Sequence, residues 1–498
     1  MGTTAARTPL GACEERGEPA VSLPTVGRPA DHVLDELRAL RAGDLPTHGG
    51  RTLAYVYDSG LTGLDELAAG AHALASSANG LDPTAFPSLL RMENDIVAAA
   101  AALLGGGPDA VGSVTSGGTE SCMLAVHAAR AARQDVERPK IVLPSTAHAA
   151  FHKAAHYFDV EAVTVPVTPS FTADPAAMAA AVDDRTVLVV VSAPSYAHGV
   201  IDPVVPIAAA AAARGVRCHV DACIGGWVLP YFRALGEPVP DFDLSVPGVT
   251  SVSVDLHKYA YCPKGTSVLL HADATFRRSQ FFASAAWPGY TMLNSTLQST
   301  RSGGPLAAAW AVLNHIGDDG YRALASRVLS AVQTLRTGIT AIDGLRLQGS
   351  PQSTLLSVAA DSDDFDVFTV ADEMTERGWY LQPQFGFESS QPNLHLTVTA
   401  ANHGTEDVLL ADLAAAVAAA RRTGPVAVAP EVTSTIAALS PTDLTPDQFA
   451  ALLASAGLTE VTPPRRMAEI NTLLGAAPPA LREALLVEFL NALYIPTR

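Results

Sequence analysis

The sequence predicts an α/β protein: a mostly parallel sheet core covered by helices, then a smaller α+β unit and a helical tail. Three observations carry this. Between about 110 and 275, short apolar runs alternate with alanine-rich helical windows. After about 305, a long helical window gives way to short alternating segments. Beyond a proline-bearing linker at 423 to 430, only helical signals remain.

In chain order, residues 1–30 are rich in Pro, Gly, Thr and charge without a hydrophobic period, which predicts a flexible arm. Asp31 is a candidate cap for a helix carrying Val33, Leu34, Leu37 and Leu40, and a second helix is expected from Leu89 to Leu104. These fall in an N-terminal helical segment, 31–109. The strands of the core unit, 110–304, are read at Lys140–Leu143, Ala162–Val167, Thr186–Val191, Val216–Val220, Ser251–Val254 and Thr266–Leu270. They are too apolar to alternate, as expected of a parallel sheet buried on both faces. Helical windows at Leu306–His315 and Tyr321–Ile342 then lead to strands at Thr354–Val358 and Leu394–Val398, giving a small α+β unit over 305–422. The tail, 423–498, holds a capping box at Thr445–Gln448 and an amphipathic stretch at Ala480–Leu493.

With 498 residues, 48% of them hydrophobic, the chain can bury a large core, which excludes disorder as its main state. Only 16% are charged, which suggests surface hidden in an oligomer. The net charge of -18 would repel a phosphate backbone or an anionic bilayer, so nucleic acid and membranes are not expected partners. Cys13, Cys122, Cys218, Cys223 and Cys262 are odd in number and form no C-x-x-C pair, so neither a disulfide framework nor a thiolate zinc site is expected. No signal peptide or membrane span is read, and the expected location is cytoplasmic.

The chemistry concentrates in three segments. In Ser251-Val-Ser-Val-Asp-Leu-His-Lys258 an apolar strand runs out into His257 and Lys258. A lysine there suits Schiff-base formation, because burial is expected to lower its pKa and free the amine. In Val114-Thr-Ser-Gly-Gly-Thr-Glu-Ser121 a strand turns into a helix; Gly117 and Gly118 allow close backbone approach, and the Thr119 and Ser121 hydroxyls join the first amides in a cradle for a phosphate. In His219-Val-Asp221-Ala-Cys-Ile-Gly-Gly226 an acid ends a strand, where it can hold a pyridinium nitrogen protonated.

Cradle, acid and lysine in that order resemble the fold-type I pyridoxal-phosphate enzymes, with an aspartate aminotransferase-like fold. The wording is closer still. Thr115–Ser121, His148–Phe158, Ser192–Asp202, His219–Gly226 and Asp255–Gly265 resemble the sphingosine-1-phosphate lyase branch of the group II decarboxylase family, over about residues 50 to 420. The resemblance implies pyridoxal 5'-phosphate as cofactor, Lys258 as its Schiff-base lysine, Asp221 on the pyridine nitrogen and His148 stacked on the ring. Gly117, Gly118, Thr119, Ser192 and His257 would complete the cofactor seat, with Ser299 or Thr300 reaching in from the second subunit of a homodimer. Tyr57, Asn79, Asp82, Tyr196, His198 and Lys264 are the implied substrate contacts. Tyr196 and His198, like Tyr259, Tyr261, Gln384 and His395, are open between substrate contact and ordinary packing.

Asp82 departs from the family pattern, standing where the family's substrate loop has a histidine that helps bind the substrate phosphate. A carboxylate there opposes a phosphate dianion. The expected reaction is therefore decarboxylation of a small amino acid, with retro-aldol cleavage of an amino alcohol or β-hydroxy amino acid to an aldehyde as the alternative. Transamination ranks third, since residues 343 to 420 offer only Arg346 and Arg377 for an α-carboxylate. His148, His152 and His156 would share one helix face at i, i+4, i+8, but no Cys or acid completes a metal site beside them.

Overall fold

The structure is a computed structural model that describes residues 23–427, scattered positions between 434 and 451, and 465–494. Most of the expected N-terminal arm, Cys13 and most of the tail's first half lie outside the described residues. Helices α1 (Ala30–Leu40), α2 (Leu64–Ala75) and α3 (Pro87–Leu103) lead into the core. No residue of α1 is buried in the single chain. Proline at the first position of α3 costs no hydrogen bond there, because a helix's first amides have no partner within it.

The core follows as β1 (Val111–Thr115), α4 (Gly118–Ala132), β2 (Lys140–Pro144), α5 (Ala150–Phe158), β3 (Glu161–Val165), α6 (Pro175–Ala181) and β4 (Thr186–Ser192). It continues through α7 (Val204–Ala212), β5 (Arg217–Asp221), α8 (Leu229–Ala234), β6 (Ser251–Asp255) and β7 (Ser267–His271). Seven strands order as β1-β7-β6-β5-β4-β2-β3. β2 to β6 are parallel, and β7 runs against both β6 and β1. One reading is thereby corrected. The last strand read from the sequence is antiparallel, because the short turn after Lys258 cannot hold the crossover a parallel return needs. The strand read at the glycine turn into a helix is present as β1, although Gly112 and Ser113 dilute its apolar run.

α9 (Ala274–Arg278) and the hairpin β8 (Phe282–Ser284) with β9 (Met292–Asn294) precede the long helix α10 (Gly303–Ala341). Gly317, at φ 64° and ψ 174°, kinks α10 between the two windows read from the sequence. The small unit adds β10 (Leu345–Leu347), β11 (Leu355–Ala360), α11 (Val367–Glu376), β12 (Gln382–Gln384), β13 (Asn393–Thr397) and α12 (Glu406–Thr423). Its four strands form an antiparallel sheet in the order β10-β11-β13-β12. The tail contributes α13 (Ala468–Ala476) and α14 (Pro479–Leu493). Buried Asp372 on α11 caps α13, accepting from the Met467 amide at 2.8 Å and the Ala468 amide at 3.0 Å. The capping box is present as reciprocal bonds between Thr445 and Gln448. No helix among the described residues is long and apolar enough to cross a membrane.

Both faces of the large sheet are covered: every residue of β2, β4, β6 and β7 is buried. The strands β1, β4, β5 and β6 end at Thr115, Ser192, Asp221 and Asp255. These carboxyl ends lie on one edge of the sheet, where open α/β folds place their ligands.

Candidate functional site

At that edge lies a cavity of about 370 Å³, lined among others by Ser116, Gly117, Gly118, Thr119, His148, Ser192, Tyr196, Asp221, Asp255, His257 and Lys258. The chain turns from β1 into α4 with no side chain capping the helix's first amides, which leaves them for an anion. Gly117 holds φ at 155°. A Cβ on Gly118 would lie 2.6 Å from Asp255 Oδ2 and 2.9 Å from Cys223 Sγ, so the loop can rest on the cavity floor only as glycine.

Asp221 closes β5, with Oδ1 accepting from the Cys223 amide at 3.1 Å and the Ser253 hydroxyl at 3.5 Å. Lys258 follows β6 by three residues, and its Nζ lies 3.0 Å from Asp255 Oδ2. This corrects the expected charge state of the lysine. Burial alone would lower its pKa, but the carboxylate of Asp255, helped by that of Asp221, lifts it well above the usual lysine value. His257 sits beside the pair, Nε2 3.6 Å from Asp255 Oδ2, while its Nδ1 donates to the Thr266 carbonyl at 2.8 Å. Burial lowers its pKa, which favours the neutral ring.

Two further expectations are corrected. Ser121 does not join the cradle; it is fully buried, and its hydroxyl pairs with Thr115 at 2.7 Å and Ser267 at 2.9 Å, tying α4 to β7. His148 does not share a helix face with His152 and His156. It precedes α5, and its Nδ1 accepts from the Ala150 amide at 3.2 Å. That frees its ring to line the cavity, edge-on to Tyr196 with centroids 6.4 Å apart.

Tyr196 is held from outside the core. Its hydroxyl donates to Gln382 on β12 at 2.6 Å, and its ring stacks on His395 of β13 at 4.2 Å. Burial drops His395 to about 3, so the stacked imidazole is neutral. Tyr259 and Tyr261 are buried and pack edge-on, and Tyr259 donates to the Val398 carbonyl at 2.7 Å. Tyr57 meets Tyr259 edge-on at 5.2 Å, and the Lys264 ammonium lies 4.9 Å from the Tyr57 ring centre while donating to the Tyr55 carbonyl. Desolvation and the nearby Lys258 charge lower Lys264 to about 8.

The remaining expected contacts stand apart from this cavity. His198 is buried, stacked on Phe171 at 4.0 Å and hydrogen-bonded to Ser390 at 3.0 Å. Ser299 lines a second cavity of about 520 Å³, which shares Ser116 with the first. Thr300 lines neither. Asn79 pairs with Ser302, and exposed Asp82 accepts from the amide and hydroxyl of Thr84 at 2.8 and 2.6 Å.

Sequence reasoning missed Asp255, Glu120 and the pair Cys122 and Cys223. Glu120, in the first turn of α4, accepts from the Ser116 amide at 2.6 Å and the Leu297 amide at 2.8 Å, tying the cradle to the segment that carries Ser299. Asp255 was legible only as a polar residue three positions before Lys258. Ligand atoms of Cys122, Asp221 and Cys223 lie within 4.8 Å of one another. The hydrogen bond to Cys122, with burial and the nearby acids, pushes the Cys223 thiol well up, and a protonated thiol is a poor metal ligand.

These residues fit pyridoxal phosphate. Uncapped amides beside two glycines suit a phosphate, Asp221 suits a ring nitrogen, and Lys258 suits an aldehyde; a Cβ on Gly118 would collide with the floor beneath.

Comparison with known proteins points the same way. The pyridoxal-dependent decarboxylase conserved domain matches residues 47–356, and residues 430–492 match the C-terminal putative HTH domain of pyridoxal-dependent enzymes. The chain is 40% identical over 346 residues to the sphingosine-1-phosphate lyase of Dictyostelium discoideum, covering 69% of this chain and 64% of that protein. It is 36% identical over 381 residues to sphingosine-1-phosphate lyase 1 of Rattus norvegicus, covering 76% and 66%. The match thus spans just under two thirds of the length of these two relatives. Among solved structures, a sphingosine-1-phosphate lyase of Burkholderia pseudomallei superposes with TM-score 0.77 at 36% identity, covering 82% of this chain and 94% of that one. The Lactobacillus brevis glutamate decarboxylase superposes with TM-score 0.72 at 19% identity, covering 83% and 97%, which is a likeness of fold.

Proposed function

The chain belongs to the pyridoxal-dependent decarboxylase family, with a fold-type I architecture and pyridoxal 5'-phosphate as its cofactor, and from that premise we propose that it is a carbon-carbon lyase of the aldehyde-releasing kind. The observation that carries this is the 36 to 40% identity to sphingosine-1-phosphate lyases, set against 19% to the glutamate decarboxylase. Retro-aldol cleavage therefore takes precedence over decarboxylation of a small amino acid, reversing the order expected from the sequence.

When bound, the cofactor supplies an electron sink for the bond broken beside the substrate's amine-bearing carbon. The chain supplies the rest. The first amides of α4 and Thr119 would hold the phosphate, Asp221 would keep a proton on the ring nitrogen, His148 would cover the ring, and Lys258 would be the covalent anchor. As the substrate's Cα–Cβ bond breaks, the β-hydroxyl gives up its proton and becomes an aldehyde, and the amine-bearing carbon takes a proton in return. Tyr57 and Tyr196, whose phenols lie close enough to feel the Lys258 charge, are the chain's candidates for handling those protons.

The substrate we infer is an amino alcohol with an anionic end, received by Lys264. Asp82 spends its carboxylate on Thr84 in a local turn at the surface, which reduces its opposition to a phosphate. The working unit we infer is a homodimer. The outward side chains Val33, Leu34 and Leu37 of α1, and Phe282 and Leu293 of the hairpin, are about half exposed in the single chain, too apolar a surface to leave in water. Buried free thiols at Cys122, Cys218, Cys223 and Cys262 accord with a cytosolic setting.

The test is a product analysis. The purified enzyme with pyridoxal 5'-phosphate is given phosphorylated 2-amino-1,3-diols of several chain lengths and, separately, small amino acids. Aldehyde with phosphoethanolamine supports the proposal, and carbon dioxide released from an amino acid without aldehyde from any diol overturns it.

A further inference from the structure

Asp255 is the last residue of β6, and its carboxylate is 3% exposed. Its place is fixed from several sides. Its amide donates to the Cys223 carbonyl at 3.1 Å, its strand register sets it opposite Ser267, and Gly118 of the phosphate cradle rests directly on its oxygens. One oxygen, Oδ2, faces Lys258 Nζ at 3.0 Å; the other, Oδ1, is buried without a hydrogen-bond partner. An isolated buried carboxylate is costly to keep charged, and a cation in contact is what makes it tolerable. The first turn of α4, packed above it, favours negative charge in the same place.

We propose that Asp255 is the positioning residue of Lys258: before the cofactor binds, its carboxylate holds Nζ on the cavity floor beneath the phosphate cradle and keeps it as an ammonium. This rests on the reading of Lys258 as the cofactor anchor and adds a second acid to the site. Asp221 serves the ring nitrogen, and Asp255 serves the lysine. The proton must leave Nζ for solvent before the amine can react, so Asp255 governs the pH at which the cofactor-free enzyme becomes reactive.

The other charged and titratable groups facing Lys258 do not replace this carboxylate. Tyr57 from the N-terminal segment is held protonated by burial, and Cys223 after β5 by its hydrogen bond with Cys122 together with burial. Lys264 from the turn before β7 is itself a cation, and His257 favours its neutral form. Of the two carboxylates near Lys258, Asp255 has the stronger influence on it and Asp221 the weaker.

The experiment is competitive labelling of lysines with an amine-acylating reagent across pH 6 to 11, read peptide by peptide by mass spectrometry. In the full-length enzyme stripped of cofactor, the labelling midpoint of Lys258 is expected above that of Lys264. In Asp255→Asn it falls by at least one pH unit, so that at pH 8 Lys258 labels about tenfold faster. A purely structural role for Asp255 would lower stability without moving the midpoint. A wild-type midpoint for Lys258 at or below that of Lys264, or an unmoved midpoint in Asp255→Asn, overturns the proposal. The wild-type comparison stands even if the variant does not fold. A separate arm labels the holoenzyme: protection of Lys258 by the cofactor tests the anchor reading itself, so the two ideas fail independently.

Discussion

The hydroxyl of Tyr196 donates to the side-chain carbonyl of Gln382 at 2.6 Å, a single bond that joins the loop after β4 in the large unit to the edge strand of the small sheet. With the His395 ring stacked behind it at 4.2 Å, the phenol has one direction available. The small unit thus aims a side chain that lines the cofactor cavity.

Gln382→Leu removes that acceptor and leaves the phenol free to turn. The expected effect is a fall in kcat/KM of about tenfold, about 1.4 kcal/mol of transition-state stabilisation. The Tm should drop by only a few degrees, since a net hydrogen bond contributes about 1 kcal/mol. Steady-state kinetics with thermal melts separate the two effects, and equal losses of activity and folded protein would assign the bond to stability alone.

Gly118→Ala places a methyl against Asp255 and Cys223 on the cavity floor. Relieving the overlap requires lifting the cradle, at a cost of about 1–3 kcal/mol. The affinity for pyridoxal 5'-phosphate should fall at least tenfold, read by fluorescence titration of the cofactor-free enzyme. The same substitution at Gly107, where an added Cβ meets nothing within 4 Å, should leave the affinity unchanged.

Lys264 carries a pKa lowered to about 8, so its charge is present below that pH and disappears above it. Binding of an anionic substrate should therefore weaken as pH rises through 8, with KM for a phosphorylated amino alcohol increasing toward pH 9. An unphosphorylated analogue should lack this rise. Lys264→Gln should raise KM for the phosphorylated substrate and flatten its pH dependence.

The tail is fastened to the small unit by Asp372, which caps α13, and by Arg466, which pairs with Glu373 at 2.7 Å. Asp372→Ala leaves two helix amides unpaired and should cost about 1–2 kcal/mol locally. Hydrogen exchange over residues 465–494 should accelerate, with the sheet strands of the core unaffected.

How legible the molecule was in its sequence follows the range of the interactions. The three chemistry-bearing segments were readable because each is local: a glycine turn into a helix, an acid at a strand end, a lysine three residues past one. What escaped was set by partners distant in the chain. Ser121 looked like a cradle residue, but Ser267, 146 positions away, draws its hydroxyl into the core. The fate of His148 turned on where α5 begins, a boundary that an alanine-rich stretch does not mark. The charge of Lys258 was misjudged because burial was considered without Asp255, whose approach requires the turn after β6 to fold back. The order of the two reactions was set by Asp82 alone, when the surrounding motifs and the Thr84 turn that occupies its carboxylate carried more weight.

The central claim is that the cavity beneath the first turn of α4 holds pyridoxal 5'-phosphate with Lys258 as its anchor. Borohydride reduction of the holoenzyme followed by peptide mapping tests it directly. The account predicts the cofactor's mass on the peptide containing Lys258, lost in Lys258→Ala together with aldehyde release. Cofactor fixed on Lys264, Lys153 or Lys140 instead, or aldehyde release undiminished in Lys258→Ala, would contradict it.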